Sequence, residues 1–427
     1  MIETKNKALI LSTYAPPMMG GPMILYNLFS QFSGNSYSIL TGYSAIKSQP
    51  HDNKYWLNCD YYFYDAPDKT KLDMINGDNA HKKAGVNTQK VNAQWWKRIT
   101  YFITKILYFK RIDMLVNMLM QLVIIVRRGI TIVKKNGIEV LIGISGDGLA
   151  LIAAYVIHKI TKKKYILYLF DLYRGNNFSP SIKWLARIVE PTLVRSASKI
   201  IVTNSGTKDL YNKRYGNVPI EIIYNAIFSE KYANLNNDYS PSEPYTIIFT
   251  GNIYWAQEQS IVNLIKAIGQ INQIKVNLQL YLPKCPDSIK NLVENNERVS
   301  ISKASPEEIP AIQNKADLLF LPLAWDTKAP EIIQTATPGK FTDYLIAGRP
   351  MLVHAPEYAY VSQYAKKFKL GLVVDHNDIS ILAQAITDFF MHPHGGTEYI
   401  TNAKKIFFKN HDVYKNAQNL ASIINKS

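Results

Sequence analysis

The sequence predicts an α/β chain made of two doubly wound domains. Three observations carry this: two successive series of short apolar strands alternating with helical stretches, small-residue turns at the strand ends, and a polar stretch dividing the series. Residues 7–12 (KALILS) form a short apolar run closing on a small polar residue, the pattern of a buried parallel strand. A loop rich in proline and glycine follows, and residues 23–32 place apolar side chains at helical spacing. The pattern recurs with strands at 138–144, 165–170 and 199–203 and helices at 149–160 and 207–215. Residues 234–244 (NLNNDYSPSEP) are polar, turn-rich and poor in apolar side chains, and mark a domain boundary. Beyond them strands are expected at 245–250, 276–282, 317–323 and 350–354, with helices at 260–271, 342–347 and 379–390. This gives a first domain over 1–240, a second over 241–404, and a last segment over 405–427.

The bulk properties narrow the function. At 427 residues, two or three domains are expected, and 47% hydrophobic with 19% charged residues excludes wholesale disorder. The two cysteines, Cys59 and Cys285, lie far apart, so neither a disulfide framework nor a zinc cluster is legible and a reducing cytoplasm is expected. The start has no signal-peptide layout, and no run of about 20 uninterrupted apolar residues occurs, so no membrane span is expected. Net charge is +16 and unevenly placed: residues 1–240 hold 31 Lys+Arg against 16 Asp+Glu, the rest 18 against 17. An anionic partner for the first half is implied: acidic lipid, nucleic acid or a phosphate-bearing substrate.

Residues 95–135 concentrate that charge. Trp95, Trp96 and many aliphatic residues are interleaved with nine Lys and Arg, and Asp113 is the only acid. Such helices lie in the headgroup plane of anionic membranes, although a pair of helices packed in the first domain fits the same pattern. Nucleic acid is disfavoured, because no recognition fold is present and a duplex would leave the bulky aliphatics exposed.

Two constellations carry chemistry. Gly20 and Gly21, in Met19-Gly-Gly-Pro22 after the first strand, let a ligand approach the backbone ahead of a helix N-terminus, and equally suit a plain turn. The second is TATPGKFTDYLIAGRP at 335–350. Pro338 suits a first helical turn and Thr337 an N-cap, so the N–H groups near Gly339 and Lys340 would face a diphosphate at the strand ends. Asp343, three residues on, shares their face and suits ribose hydroxyls.

With these residues in view, the chain resembles glycosyltransferase family 4, the retaining GT-B enzymes, and within it the bacterial surface-polysaccharide transferases. The resemblance runs over PPMMGGP, YLFDLYRGNNFSP at 168–180, SKIIVTNSGTKDLY at 198–211, IIYNAIF at 222–228, FTGNIYWAQ at 249–257 and, most specifically, TPGKFTDYLIAGRPML at 337–352. It implies GT-B architecture, two Rossmann-like domains facing across a cleft, with acceptor bound by the first and nucleotide sugar by the second. By the same resemblance Gly20 and Gly21 approach the donor phosphates, Gly251 and Asn252 line the diphosphate site, and Asp343 takes the place of the second glutamate of the E-x7-E motif. The helix near 412–424 is expected to cross back onto the first domain. Asp171, at a strand end, is the candidate to orient or deprotonate the acceptor hydroxyl, and capping of the following loop is the alternative.

Two departures stand out. Thr335 occupies the place of the first motif glutamate, with Glu331 out of register. Asn252 and Gln257 stand where the family has an Arg and Lys pair for the pyrophosphate. Lys340 and Arg349 are the available replacements, since a diphosphate needs charge and donors rather than one particular side chain. No Asp-x-Asp pair is present and His392 and His394 read as surface, so no metal is expected. The implied function is transfer of a sugar from a UDP- or GDP-linked donor, with no cofactor, to a glycan or lipid-linked acceptor. The expected location is cytoplasmic, peripheral on the inner face of the plasma membrane. The alternatives are a membrane scaffold on a degenerate fold and a sugar-nucleotide epimerase.

Overall fold

A computed structural model describes residues 1–76, 110–236, 238–294, 296–392 and 395–426, with side chains of 110–115 left aside. Residues 95–109 of the expected membrane segment, and His394, lie outside the described residues. The chain divides into two compact units, the first holding 1–202, 211–221 and 417–427, the second 203–210 and 222–416.

The first unit is built on a seven-stranded sheet of order β3-β2-β1-β4-β5-β6-β7. Its strands are β1 (Ala8–Leu11), β2 (Tyr37–Thr41), β3 (Asp60–Phe63), β4 (Val140–Ile144), β5 (Lys164–Leu169), β6 (Lys199–Val202) and β7 (Ile220–Ile222). Its helices include α1 (Met23–Phe29), α2 (Tyr43–Ser48), α3 (Lys110–Lys135), α4 (Leu149–Thr161) and α5 (Pro180–Ser196). α6 (Ser205–Tyr215) begins in the second unit and ends in the first. β1 pairs parallel with both β2 and β4, and every residue of β1, β2 and β4 is buried, which is why these runs read as continuous hydrophobics.

The second unit repeats the plan with six parallel strands of order β10-β9-β8-β11-β12-β13. These are β8 (Tyr245–Thr250), β9 (Val276–Tyr281), β10 (Val299–Ser302), β11 (Leu318–Pro322), β12 (Met351–His354) and β13 (Gly371–Val374). Between them run α7 (Glu258–Gln270), α8 (Asp287–Val293), α9 (Ile309–Asn314), α10 (Pro330–Thr335), α11 (Gly339–Ile346) and α12 (Tyr360–Phe368). α13 (Ile379–Met391) and α14 (Gly395–Ile406) follow. Alternate residues of β8 and β11 enter two cores: Ile248, Leu319 and Leu321 on one face, Ile247, Phe249, Leu318 and Phe320 on the other. Helices on both faces are what such a sheet requires.

α15 (Val413–Lys426) ends the described chain, and its residues from Ala417 onward belong to the first unit. There Lys5 N donates to Asn425 Oδ1 at 2.8 Å, and Asn6 Nδ2 to Ile424 O at 3.1 Å.

The chain passes between the units at 202/203, 210/211, 221/222 and 416/417, and the polar stretch 234–244 leads into β8 inside the second unit. The reason is Tyr232: its buried hydroxyl lies 3.0 Å from both Gln313 Oε1 and Asp343 Oδ1, tying the upstream segment to the second unit. The stretch Val116–Lys135 of α3 is long and apolar enough to cross a membrane by length and composition alone. Its Ile125, Val126, Ile132 and Val133 are buried, so one side serves the fold of the first unit.

Each sheet starts at a central strand, runs to one edge, and restarts on the other side. The order therefore reverses between β1 and β4 and between β8 and β11. Open α/β sheets bind ligands at the carboxyl ends of the strands flanking such a reversal.

Candidate functional site

In the second unit the reversal is flanked by the turn after β8. Gly251 holds φ +107°, a conformation that other residues adopt at a cost, and its missing side chain leaves room for a neighbour. A Cβ built there would stand 3.4 Å from Lys340 Cε. Lys340, in the first turn of α11, folds over this turn with Nζ 3.8 Å from the centre of the Phe249 ring and 3.3 Å from Gln257 Oε1. Burial pulls its pKa down to about 7, against a smaller upward pull from Asp343. Asn252 is exposed beside the same turn.

α11 begins at Gly339, with Pro338 as N-cap in an extended conformation and no side-chain cap. The sequence expectation of Thr337 as N-cap is corrected here. Thr337 Oγ1 instead accepts from Asn204 Nδ2 at 2.9 Å, and Asn204 also donates to Thr335 O at 2.8 Å. Gly339 is exposed, and a Cβ there would meet nothing within 4 Å. Phe341 N donates to Pro338 O at 2.9 Å, so the exposed start of α11 at Gly339 is the part of its first turn that faces the strand ends, where a helix offers its positive dipole end.

Asp343 lies one turn further. Burial raises its carboxyl to about 6, moderated by the Tyr232 hydrogen bond, Lys231 and Lys340. Behind it Gln313 Nε2 donates to Thr250 Oγ1 at 3.1 Å, and Tyr344 Oη accepts from Thr250 N at 3.3 Å. The strand end, α9 and α11 are therefore held by one polar relay. Thr335 Oγ1 donates to Glu331 O within α10, so the position of the first motif glutamate carries only a hydroxyl spent on its own helix.

Arg349 does not join this group. It lies past the C-terminal end of α11 and donates to Gly348 O at 2.7 Å and Asn236 O at 3.2 Å. Asp317, just before β11, acts on its charge. That is the amino-end edge of the sheet, opposite Lys340, because a helix packed between parallel strands carries its two termini to opposite edges.

In the first unit, Gly20 and Gly21 lie exposed in the turn before α1. Gly20 has φ +84°, and its carbonyl accepts from Met23 N at 3.0 Å. Asp171 follows β5. Its backbone N–H and that of Phe170 donate to Ser145 Oγ at 3.2 and 2.8 Å, clamping the ends of β4 and β5 together. Asp171 is exposed at this strand end.

Sequence reasoning missed Asp147, which follows β4 at the reversal point of this sheet. Its carboxylate accepts from Leu149 N at 3.1 Å, and desolvation raises its pKa. The signal was present in Gly146-Asp-Gly148, which joins the strand expected at 138–144 to the helix expected at 149–160. Glu190 was missed too: buried in α5, it accepts from Tyr211 Oη at 2.6 Å, from Tyr215 Oη, and from Arg174 N at 3.0 Å. It thereby fixes the loop that Asp171 begins. Among the described residues no group of three or more His, Cys, Asp or Glu could hold a metal ion.

No family model matches the chain, and no curated protein matches it. Solved structures do. Sucrose-phosphate synthase from Thermosynechococcus elongatus is similar at 14% identity and TM-score 0.64, covering 99% of each chain. The Anabaena protein Alr3699/HepE, solved with UDP-glucose, is similar at 13% identity and TM-score 0.64, covering 99% of this chain and 100% of that one. A glycosyltransferase from Rickettsia africae matches at 13% identity and TM-score 0.64, covering 99% and 98%. With these likenesses over both units, the chain has the GT-B fold: two Rossmann-like α/β domains, each a parallel sheet flanked by helices.

Proposed function

We propose that this chain is a glycosyltransferase that takes a sugar from a nucleoside-diphosphate donor bound in the second unit. The observation carrying the reading is Lys340: a desolvated cation over the Gly251 turn, beside the exposed start of α11, with an amide and a ring as its partners. Such a cation is stabilised by an anion that brings its own charge, and a diphosphate at a helix N-terminus does so. The similar Anabaena structure holds UDP-glucose, which supports the same ligand class here.

In this reading Gly251, Asn252, Gly339 and Lys340 receive the diphosphate and Asp343 the ribose. Thr337 holds the turn before α11 through Asn204. The leaving diphosphate is stabilised by Lys340 and the α11 dipole, without a metal. In the first unit, the resemblance to family 4 supports a ligand-facing role for the Gly20–Gly21 turn, and Asp171 or Asp147 orients the acceptor hydroxyl. The resemblance to family 4 supports retention of anomeric configuration. It also supports a lipid-linked or polysaccharide acceptor, in surface polysaccharide biosynthesis. Peripheral attachment to the cytoplasmic membrane face is supported by the excess of basic residues in 1–240 and by the exposed apolar stripe of α3, Val116, Leu119, Met120, Val123 and Ile124.

Thermal unfolding of the purified protein with UDP, GDP, UDP-glucose and other nucleotide sugars tests the reading. A ligand at 100 times its Kd adds about 2.7 kcal/mol, a shift of several degrees. A shift with one nucleotide, lost in Lys340→Ala, establishes the site and the base. No shift with any of them overturns the transferase reading in favour of the scaffold, which the hydroxyl at Thr335 in place of a glutamate favours.

A further inference from the structure

The outer helical layer of the first unit reads as one continuous surface. α4 packs against α3 on one side and α5 on the other, so the outward faces of the three helices adjoin. On α3 the stripe of Val116, Leu119, Met120, Val123 and Ile124 is exposed at i, i+3, i+4, i+7 and i+8. On α4, Ile160 is exposed beside Lys159 and Lys162. On α5, Trp184 is 58% and Ile188 54% exposed, with Arg187 between them and Arg195 further along the exposed side. An exposed tryptophan and isoleucine one turn apart have no role in the core of this unit.

The charge of this layer is as one-sided as its hydrophobicity. Residues 116–135, 149–163 and 180–196 together hold ten Lys and Arg and a single acid, Glu190. That acid is buried among tyrosine hydroxyls and contributes nothing to the surface. A face that combines exposed aliphatic and indole side chains with an excess of cations, of which Lys163 is paired with the exposed Glu139 at 2.8 Å, is complementary to an anionic bilayer, where indole settles at headgroup level and Lys and Arg meet phosphate. A protein partner would in general bring donors and acceptors of both signs, which nothing on this face selects.

We infer that the membrane-binding surface is three helices wide, with Trp184, Arg187 and Ile188 of α5 as a second anchor beside the α3 stripe, and that its ligand is anionic lipid. The inference rests on the proposed membrane attachment and extends it to residues beyond 95–135. The two anchors lie on separate helices of one layer, so the unit is held at two places, and its α3–α5 face lies flat on the bilayer instead of pivoting about one helix.

Cosedimentation of the full chain with vesicles tests this, using equal parts phosphatidylglycerol and phosphatidylcholine against phosphatidylcholine alone. The wild type is expected to bind the anionic vesicles, and Trp184→Ala/Ile188→Ala and Arg187→Glu to weaken that binding by roughly tenfold each. All three positions are exposed, so unchanged thermal unfolding of the variants is expected to confirm that they fold. Brominated phosphatidylcholine mixed into the anionic vesicles is expected to quench the wild type more than Trp184→Phe, reporting this indole at the membrane. Undiminished binding by the α5 variants with equal quenching overturns the second anchor and leaves the membrane reading intact. No binding of the wild type to either vesicle overturns both. Self-association in sedimentation velocity that Trp184→Ala/Ile188→Ala abolishes assigns the face to a second copy of the chain and overturns the lipid assignment.

Discussion

Lys340 Nζ donates to the side-chain oxygen of Gln257 at 3.3 Å, a charged donor matched with a neutral acceptor in a largely desolvated turn. The match leaves the cation under-compensated until an anion arrives. Lys340→Met keeps most of the stem and removes the charge. Without nucleotide it is expected to be more stable than the wild type by about 1 kcal/mol, because a desolvated charge has gone. Its nucleotide-induced shift should vanish. Urea unfolding gives the first quantity and thermal unfolding with nucleotide the second; a destabilised variant with a normal shift contradicts both.

Lys340 and Asp343 together set a pH signature. The folded pKa of Lys340, about 7, lies below its unfolded value of about 10.4. The unfolded chain therefore binds more protons between these values, and the lysine's contribution to stability rises with pH through that window. Asp343 runs the other way: its folded value of about 6 exceeds an unfolded value of about 3.9, so its contribution falls as pH rises from 4 to 6. Denaturant unfolding across pH should show the advantage of Lys340→Met shrinking above pH 7. The advantage of Asp343→Asn should open between pH 4 and 6.

Tyr232→Phe removes one hydroxyl placed between Gln313 and Asp343. A buried acceptor is then left without its donor, at an expected loss of about 1–2 kcal/mol. The carboxyl of Asp343 also loses a hydrogen bond that favours its charged form, so its pKa should rise further. Unfolding midpoints check the first, and the pH at which the Asp343→Asn difference opens checks the second.

Gly148 separates two kinds of glycine in one turn. It has φ +94°, and a Cβ would meet the Tyr173 ring at 2.1 Å. At Gly146 a Cβ would meet nothing within 4 Å. Gly148→Ala is expected to cost at least about 2 kcal/mol through strain and collision, and Gly146→Ala to stay within about 0.5 kcal/mol. Equal midpoints for the two variants would contradict the geometry.

The central strands were readable because burial on both faces writes itself as an unbroken apolar run, as in Ala8–Leu11 and Leu318–Pro322. The edges were not. β3 (DYYF) and β10 (VSIS) mix polar and apolar residues, since each is only partly buried and pairs on one side. At the site, Lys340 and Asp343 were legible because one short helix carries both after a proline and a glycine. Gln313 and Tyr232 reach Asp343 from distant segments, and no local pattern marks them. Arg349 was grouped with Lys340 by closeness in sequence. Eight helical residues span about 12 Å, enough to carry the two charges to opposite edges of the sheet.

The hydrogen bonds from Lys5 and Asn6 to Asn425 and Ile424 bear on how the chain is born. The first unit contains residues 1–202 and 211–221 yet also the turns of α15 from Ala417 on. Between Glu221 and Ala417 the ribosome must deliver about 195 residues, which takes on the order of 10–40 s at ordinary rates of synthesis. During that interval the first sheet exists without its final helix, while the segment forming most of the second unit emerges uninterrupted. The nascent first unit therefore waits, incomplete, for the last turns of the chain. Deleting residues 417–427 should leave it in that waiting state, with the second unit folded and the first prone to aggregation.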